Sequence, residues 1–279
     1  MRASKSFESK HHSTSHLSII QRIKHFRKRL FRKHIRGNEL RQLIEEMLPE
    51  WPHDVVRIGG EEDGGYIIPN DLEGIAYCFS PGVGPSARFE LELQQRFGIA
   101  SFLADYTVDC PEGIDPAFFT KAFVGHKSKD DRFIDFTEWV ESNAGNTQQD
   151  MILQMDIEGG EYDVLGNVAP ELLKRFRIII VEFHGLDRLF DRRRFTPFAT
   201  AIRNLMTHFR VVHIHPNNNG PIGLVGEIEC PSLLEITFAR RDRIYEVAER
   251  PTVPHPLDRQ NVRGPELVLP EHWRGRATA

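Results

Sequence analysis

The chain has 279 residues, of which 40% are hydrophobic and 27% are charged, and its formal net charge is −4. This composition is ordinary for a soluble globular protein and allows a sizeable core in one large domain or two small ones. No apolar run approaches the roughly 20 residues that a membrane-spanning helix needs. The first residues also lack the apolar core of a secretory signal, so we expect a cytoplasmic protein.

The three cysteines, Cys78, Cys110 and Cys230, lie far apart and form no CxxC pair. We therefore expect free thiols in a reducing compartment.

The charge is divided unevenly along the chain. Residues 1–36 hold eleven Lys or Arg and one acid, a net charge of +10, and the remainder carries −14. Residues 1–16 are polar, and the following "LSIIQRIKHFRKRLFRKHIRG" has the spacing of a basic amphipathic helix that Gly37 would end. Such a helix favours peripheral contact with an anionic membrane, an acidic partner or nucleic acid. The alternative is a solvated leader whose apolar face docks on its own domain.

After residue 37, apolar runs alternate with helical patterns. A short helix "ELRQLIEEML" comes first. We then predict strands in "GYIIP", "IAYCFS", "ASFLADY", "AFFTKAFVG", "MILQMDI", "RIIIVEFH", "RVVHIHP" and "LLEITFAR". The helical stretches are 86–97, 135–143, 161–175 and 195–208. This alternation predicts an α/β fold with a doubly wound, mostly parallel sheet covered on both faces. The Pro- and Arg-rich tail, 251–279, is expected to wrap the surface or stay loose.

The first chemical motif is "CFSPGVGPSA", in which a predicted strand runs into glycines and a helix. Gly82 and Gly84 would let backbone N–H groups approach a ligand, although an ordinary tight turn has the same pattern. Asp105 ends the next strand, 21 positions after Gly84, where an acid commonly accepts ribose hydroxyls. The third glycine of a dinucleotide motif is missing and no lysine-bearing phosphate loop is present, which disfavours NAD and ATP.

The second motif is "DMILQMDIEGGEYDVL" at positions 150–165. Asp156 and Glu158 follow a buried strand and would face the same crevice as the two glycines, because ligands bind beyond the carboxyl ends of parallel strands. Glu161 begins the next helix, where the macrodipole favours an acid.

Two further strands, whose ends we expect to be neighbours in the sheet, end in acids and histidines. Glu182 and His184 share one face of their strand, as do His213 and His215. A carboxylate beside an imidazole suits general-base removal of a proton from a hydroxyl. The alternative is a divalent metal site. Its candidate ligands are Asp156, Glu158, Glu182 and His184.

These motifs together resemble the FkbM-type methyltransferases, which use S-adenosyl-L-methionine on a Rossmann-like fold. The resemblance covers about residues 57–242 and rests on "DGGYIIP", "CFSPGVGPS", "FGIASFLADYTVD", "LQMDIEGGEYDVL", "IIIVEFHGL" and "HIHPNN". It implies a seven-stranded sheet with a last antiparallel strand, here "LLEITFAR". It also implies methyl transfer, usually to a hydroxyl of a sugar, glycolipid or secondary metabolite.

The resemblance also implies roles for particular residues. Gly82, Gly84 and Asp156 would lie near the methionine part of the cofactor, and Asp105 would hold the ribose. Ser80 stands where many methyltransferases carry an acid, so Asp156 could take over contact with the ammonium group. The residues assigned to the acceptor and its proton are Glu158, Glu182, His184 and His215.

The expected organisation is a leader at 1–37, a methyltransferase domain at 38–250 and the tail at 251–279. Two alternatives remain open. One is a metal-dependent enzyme of another class that uses the Glu182/His184 and His213/His215 clusters. The other is a nucleic-acid-binding protein that acts through its leader, which the acidic remainder of the chain disfavours.

Overall fold

The computed structural model describes residues 34–50, 52, 54–128, 130–244 and 254–274. These residues, apart from His34, belong to one compact unit within Ile35–Ala279. The predicted basic helix of the leader lies outside the described residues. None of the described helices is long and apolar enough to cross a membrane.

Most strands and helices lie close to their predicted positions. The strands are β1 (Val55–Ile58), β2 (Tyr66–Pro69), β3 (Ile75–Pro81), β4 (Ala100–Ala104), β5 (Phe119–Thr120), β6 (Phe123–Gly125), β7 (Phe133–Asp135), β8 (Asp150–Met155), β9 (Phe176–His184), β10 (Phe209–Pro216), β11 (Ile222–Val225), β12 (Ile228–Pro231) and β13 (Leu233–Arg240). The α-helices are α1 (Gly37–Glu46), α2 (Arg88–Phe97), α3 (Phe136–Ala144), α4 (Glu161–Asn167), α5 (Pro170–Leu173), α6 (Arg192–Met206) and α7 (Glu271–Arg274). Short 3₁₀ helices lie at Pro116–Phe118, Leu186–Arg188 and Arg241–Arg243.

The central sheet has seven strands in the order β10-β13-β9-β8-β3-β4-β5. The four pairs from β9 to β5 are parallel, while β13 is antiparallel to both β9 and β10. The sheet is therefore mixed, with the last strand reversed. The carboxyl ends of β3, β4, β8, β9 and β10 lie at one edge.

Both faces of the sheet are covered, as the apolar runs predict. On one face, Met151, Leu153 and Met155 of β8 belong to a buried cluster that includes side chains of α1, α3, α4 and α6. On the other face, Ile152 packs in a cluster with α2 and the β1–β2 hairpin. A central strand buried on both sides is mostly apolar, and Gln154 is the one polar residue among residues 151–155 of β8.

Two predicted elements are broken in the structure. The run "AFFTKAFVG" forms a 3₁₀ turn, the two-residue strand β5 and then β6, which pairs with β7 in a separate small sheet. The predicted helix 161–175 is interrupted between α4 and α5, because Pro170 disfavours a helical conformation at Ala169, whose ψ is 139°. The "DGGYIIP" stretch contains the end of the turn and strand β2 of an antiparallel hairpin that β2 forms with β1.

The described part of the tail, 254–274, packs against the domain. Trp273 is fully buried in the larger core cluster, and its indole N–H donates to the Glu229 carbonyl at 2.9 Å. Asp258 and Asn261 lie beside polar side chains of the central sheet. The tail therefore completes part of the domain.

Candidate active site

The turn after β3 brings the backbone of two strand ends together. Gly82 has a φ of 87°, and its N–H donates to the Ala104 carbonyl at 2.8 Å. A Cβ built on Gly82 would lie 1.6 Å from the Asp156 carbonyl oxygen. Only glycine fits there, because both the backbone conformation and the neighbouring chain exclude a side chain.

Two cavities open on either side of this turn. They share Gly82, Val83, Gly84, Pro85 and Asp156 as a common wall. The first, here the Asp105 cavity, has a volume of about 460 Å³, and its lining includes Asp105, Val108, Phe123, Val124 and Phe133. The second, the Tyr66 cavity, has a volume of about 350 Å³, and its lining includes Asp63, Tyr66, Arg88, Glu90, Gln154 and Asn261. A ligand with one apolar, ring-bearing end and one charged end could bridge the wall.

Asp105 lies directly after β4, as the sequence predicts. Its Oδ1 accepts hydrogen bonds from the Thr107 hydroxyl at 2.6 Å and from the Val108 N–H at 3.2 Å. Among the described residues, Oδ2 has no hydrogen-bond partner. One oxygen therefore fixes the loop, while the other is available to a ligand hydroxyl.

Ser80 lines neither cavity. It is fully buried, and its hydroxyl lies 3.5 Å from the Cys78 sulfur. Its other neighbour is Glu90 of α2, to which the Ser80 hydroxyl is hydrogen-bonded. Because Ser80 lines neither cavity, this geometry disfavours the predicted direct contact between Ser80 and a cofactor.

The "DIEGGE" turn is built around Glu161. Its carboxylate is fully buried and accepts from the Gly159 N–H at 2.7 Å and from the His184 N–H at 2.9 Å. Glu158 has a φ of 53° and is the one non-glycine residue with a positive φ in the described ranges. A strained residue that is held by a buried carboxylate is typical of functional turns.

The imidazole of His184 lies at the centre of an acidic cluster. Its Nε2 is 3.3 Å from Glu158 Oε2, 3.6 Å from Asp156 Oδ1 and 4.0 Å from Glu182 Oε1, and its Nδ1 is 3.4 Å from Glu161 Oε1. Burial works against the charged imidazole, but Glu161 and the other carboxylates outweigh it and raise the pKa of His184. The predicted Asp156, Glu158, Glu182 and His184 thus form one group.

Burial also changes the acidity of the carboxyl groups in this cluster. It raises the pKa of Asp156 to about 7, partly offset by the positive charge of His184. Burial and then the charges of Glu235 and Asp156 raise the pKa of Glu182 to about 10. At neutral pH Glu182 is therefore a neutral acid that can donate a hydrogen bond, while the Asp156 carboxyl group, 3.6 Å from His184, titrates near physiological pH.

His213 and His215 lie apart from this cluster. His213 Nε2 is 3.0 Å and His215 Nδ1 is 3.3 Å from Asp258 Oδ1, which belongs to the tail. His215 is paired with Glu235 of β13, and Glu235 is paired with Glu182 of β9. His215 is therefore two strands from Glu182, about 10 Å at the usual strand spacing. The prediction that β9 and β10 are neighbours is wrong, because β13 lies between them.

Two groups of side chains could hold a divalent cation. The ligand atoms of Asp156, Glu158 and His184 all lie within 4.8 Å of one another, and so do those of Asp63, Glu182 and Glu235. The second group is joined by Asn261, whose amide donates to both Asp63 and Glu235. The first group contains three of the four predicted metal ligands and the second contains Glu182, while neither contains His213 or His215.

Several functional candidates are not identified by the sequence motifs, although Asp63 begins the "DGGYIIP" stretch and Glu235 lies within "LLEITFAR". These residues are Asp63, Glu90, Glu235, Asp258 and Asn261. Glu161 is visible in the "DIEGGE" motif, but its position at a helix start predicts only an interaction with the helix dipole. Its role in tying His184 to the turn depends on a contact 23 residues apart.

A part of the chain that includes most of this site matches a known protein family. Residues 111–219 match the family model described as the methyltransferase FkbM domain. No curated protein and no solved structure gives a significant match. The matched residues include Asp156, Glu158, Glu182 and His184, while the glycine turn and Asp105 precede them.

The match is narrower than the resemblance at 57–242, and it implies an α/β fold of the class I methyltransferase type. The mixed seven-stranded sheet agrees with such a fold. The resemblance to the FkbM-type methyltransferases is thus confirmed over residues 111–219, and the match indicates a methyltransferase.

Proposed function

We propose that this protein is an S-adenosyl-L-methionine-dependent O-methyltransferase acting on a hydroxyl of a sugar, glycolipid or secondary-metabolite acceptor. The observation that carries the proposal is the wall Gly82–Val83–Gly84–Pro85, which separates the Asp105 cavity from the Tyr66 cavity and lines both. A nucleoside joined to a charged amino-acid end has the shape and chemistry for this pair of cavities.

The residues fit the cofactor in three respects. The Asp105 cavity has an apolar lining for an adenine ring and a carboxylate oxygen available for ribose hydroxyls. The absence of a side chain at Gly84 leaves open space beside the wall. The carboxylates around the wall attract a cation. When bound, S-adenosylmethionine supplies a methyl group on a sulfonium that is already a good leaving group.

The chain's own contribution is to place the acceptor and take its proton. Positioning of reactants supplies about 7–11 kcal/mol of barrier reduction in favourable cases. His184 Nε2 faces Asp156 and Glu158 beside the shared wall, where it can accept the proton of an acceptor hydroxyl. Its raised pKa makes the neutral imidazole a stronger base than that of an ordinary histidine, and only the neutral fraction of His184 can accept the proton. The neutral Glu182 can donate a hydrogen bond nearby and orient a second acceptor oxygen.

The proposed reaction transfers one methyl group to the acceptor and one proton from it. The acceptor oxygen forms a bond to the methyl carbon, the carbon–sulfur bond breaks with its electron pair going to sulfur, and the hydroxyl proton passes to His184. The products are a methyl ether and S-adenosylhomocysteine.

The test is transfer of a labelled methyl group from S-adenosylmethionine to a panel of hydroxyl-bearing glycans, glycolipids and phenols, with amine analogues alongside. Methylation of a hydroxyl acceptor, lost in His184→Gln with S-adenosylhomocysteine binding retained, would support the proposal. Methylation of the amines alone would overturn the assignment to oxygen.

A metal-dependent reaction is the second candidate, and the closeness of the ligand atoms of Asp156, Glu158 and His184 favours it. Stoichiometric metal in the purified protein together with activity that EDTA abolishes would support this alternative. Activity that is unchanged in EDTA would remove it.

We further propose that residues 1–36 bring the protein to an anionic membrane, because this segment carries a net charge of +10. Liposomes with and without anionic lipid test the idea with the full chain and with a variant lacking residues 1–36. Equal binding by both proteins would contradict it.

A further inference from the structure

The Tyr66 cavity contains a buried acid that the reaction described above does not use. Glu90 lies in the first turn of α2 and is 4% exposed. No Arg or Lys of the described residues forms an ion pair with it. Burial raises the pKa of Glu90, which the Ser80 hydrogen bond opposes. A buried carboxyl group without a cation is costly, which favours a site completed by a positively charged ligand.

The position of Glu90 follows from the glycine turn. The chain leaves β3 at Pro81, crosses the shared wall and enters α2, so the first turn of that helix lies against the Tyr66 cavity. Phe89 packs edge-on against Tyr66 with ring centroids 5.4 Å apart, which fixes the rotation of the helix. The Ser80 hydroxyl is hydrogen-bonded to the carboxyl group of Glu90.

The other charged groups of the Tyr66 cavity are mainly acidic. Glu62, Asp63 and Asp156 line it with Glu90, and Arg88 is the one basic residue among the lining residues that the structure describes. Arg88 is exposed and lies 3.6 Å from Glu62. Asp156 is already close to His184, so it is not free to serve a second cation without disturbing that pair. The charge of this cavity therefore suits one small cation.

We propose that Glu90 binds the α-ammonium group of the methionine part of S-adenosylmethionine. The inference rests on the proposed function and deepens it, because it assigns the charged end of the cofactor to the Tyr66 cavity and the nucleoside to the Asp105 cavity. In this arrangement the helix acid Glu90, hydrogen-bonded to Ser80, replaces the strand-end acid that Ser80 lacks. The ammonium group of the ligand supplies the positive charge that pairs with the buried Glu90 carboxylate.

The experiment compares two ligands on two proteins by calorimetric titration. S-adenosylhomocysteine carries the ammonium group, whereas 5′-methylthioadenosine has the same nucleoside and sulfur without the amino-acid end. In Glu90→Gln we expect affinity for S-adenosylhomocysteine to fall by about 10–100-fold, the loss usual for a charge-assisted hydrogen bond. Affinity for 5′-methylthioadenosine should remain within about twofold of that of the wild type, because that ligand never reaches Glu90.

The control variant is Glu62→Gln, which removes an exposed acid from the lining of the same cavity. If Glu62→Gln lowers the affinity for S-adenosylhomocysteine as much as Glu90→Gln does, the loss reflects the overall negative charge of the cavity. The assignment of the ammonium group to Glu90 is then overturned. An equal loss of affinity for both ligands in Glu90→Gln would also overturn the assignment to Glu90. Wild-type protein that is folded yet binds neither ligand would contradict the proposed function itself.

A ligand-side measurement covers the case in which Glu90→Gln does not fold. Wild-type protein is titrated with the S-adenosylhomocysteine analogue in which hydrogen replaces the α-amino group. The proposal expects this analogue to bind about 10–100-fold more weakly than S-adenosylhomocysteine. Equal affinity for the two would overturn it.

Discussion

The buried carboxylate of Glu161 holds the backbone of His184, 23 residues away, through a 2.9 Å hydrogen bond to the His184 N–H. The same carboxylate accepts from the Gly159 N–H at 2.7 Å. Glu161 therefore connects the glycine turn after β8 to the end of β9. Glu161 thus helps to set the distance between His184 and the acids of the turn, together with Tyr162, whose hydroxyl donates to the His184 carbonyl.

We predict that Glu161→Gln lowers the free energy of unfolding by about 1–3 kcal/mol, because the amide can accept only through one atom and leaves a buried N–H unsatisfied. Urea unfolding of the wild type and the variant measures the change. Glu171→Gln, an exposed acid on α5, is the control and should be neutral. An equally small effect of both substitutions would contradict the role given to Glu161.

The two glycines of the shared wall predict opposite outcomes for the same substitution. Gly82→Ala places a Cβ 1.6 Å from the Asp156 carbonyl oxygen at a φ of 87°, so we expect severe destabilisation or no folded protein. A Cβ on Gly84 meets nothing within 4 Å, so Gly84→Ala should fold normally. The added methyl group occupies cavity space, and we expect S-adenosylhomocysteine to bind at least tenfold more weakly.

Thermal unfolding and calorimetric titration of both glycine variants separate the two effects. Gly84→Ala with wild-type affinity would place the ligand away from the wall. A stable, well-folded Gly82→Ala would contradict the described approach of the two strand ends.

The contact between the tail and the sheet predicts a pH-dependent contribution to stability. Burial opposes the charge of Asp258, but the imidazoles of His213 and His215, with nitrogens 3.0 Å and 3.3 Å from its Oδ1, hold its pKa far below the ordinary value of 3.8. The pKa of His215 is raised above 6.5, since the close carboxylate of Asp258 and the charge of Glu235 outweigh burial. Asp258 therefore stabilises the fold above its ordinary pKa, and charged His215 stabilises it below 6.5.

Asp258→Asn should cost about 3 kcal/mol of unfolding free energy, the scale for breaking a buried pair. The cost should be largest between about pH 4 and pH 6.5. It should shrink as the pH falls below that window, because Asp258 is then protonated in the unfolded chain. It should also decline as the pH rises through the folded-state pKa of His215. Urea unfolding across this range tests the prediction against Asp242→Asn, an exposed acid. A cost that does not vary with pH would contradict the ion-pair description.

The sequence predicts most of the sheet because a parallel strand buried on both faces has a continuous apolar run. β8 and β9 are such strands, and the acids that follow them are visible for the same reason. The spacing from Gly84 to Asp105 also predicts a geometry that the structure contains, with both residues lining one cavity. These features are local in the chain or follow from one crossover.

The features that the sequence does not predict depend on contacts between distant segments. Chain order does not reveal that β13 lies between β9 and β10, so His215 could not be separated from Glu182 in advance. Glu90 is one of two acids in α2, and its burial beside Phe89 depends on the packing of Phe89 against the distant Tyr66. Asp258 lies in a Pro- and Arg-rich tail without a regular pattern. The domain boundaries and the catalytic roles stay predictions.

The central claim is that the Asp105 cavity binds the nucleoside of S-adenosylmethionine. The most direct measurement is calorimetric titration of S-adenosylhomocysteine into the wild type, Asp105→Asn and the control Asp109→Asn. Asparagine keeps the Oδ1 acceptor that fixes the loop but replaces the available oxygen with an NH₂ group. Asp109 is an exposed acid of the same loop that pairs with Lys121.

We predict micromolar binding to the wild type and to Asp109→Asn, and binding about 10–100-fold weaker to Asp105→Asn. Unchanged affinity in Asp105→Asn would contradict the assignment of the nucleoside to this cavity. A folded, ligand-free wild type that does not bind S-adenosylhomocysteine would contradict the methyltransferase account as a whole.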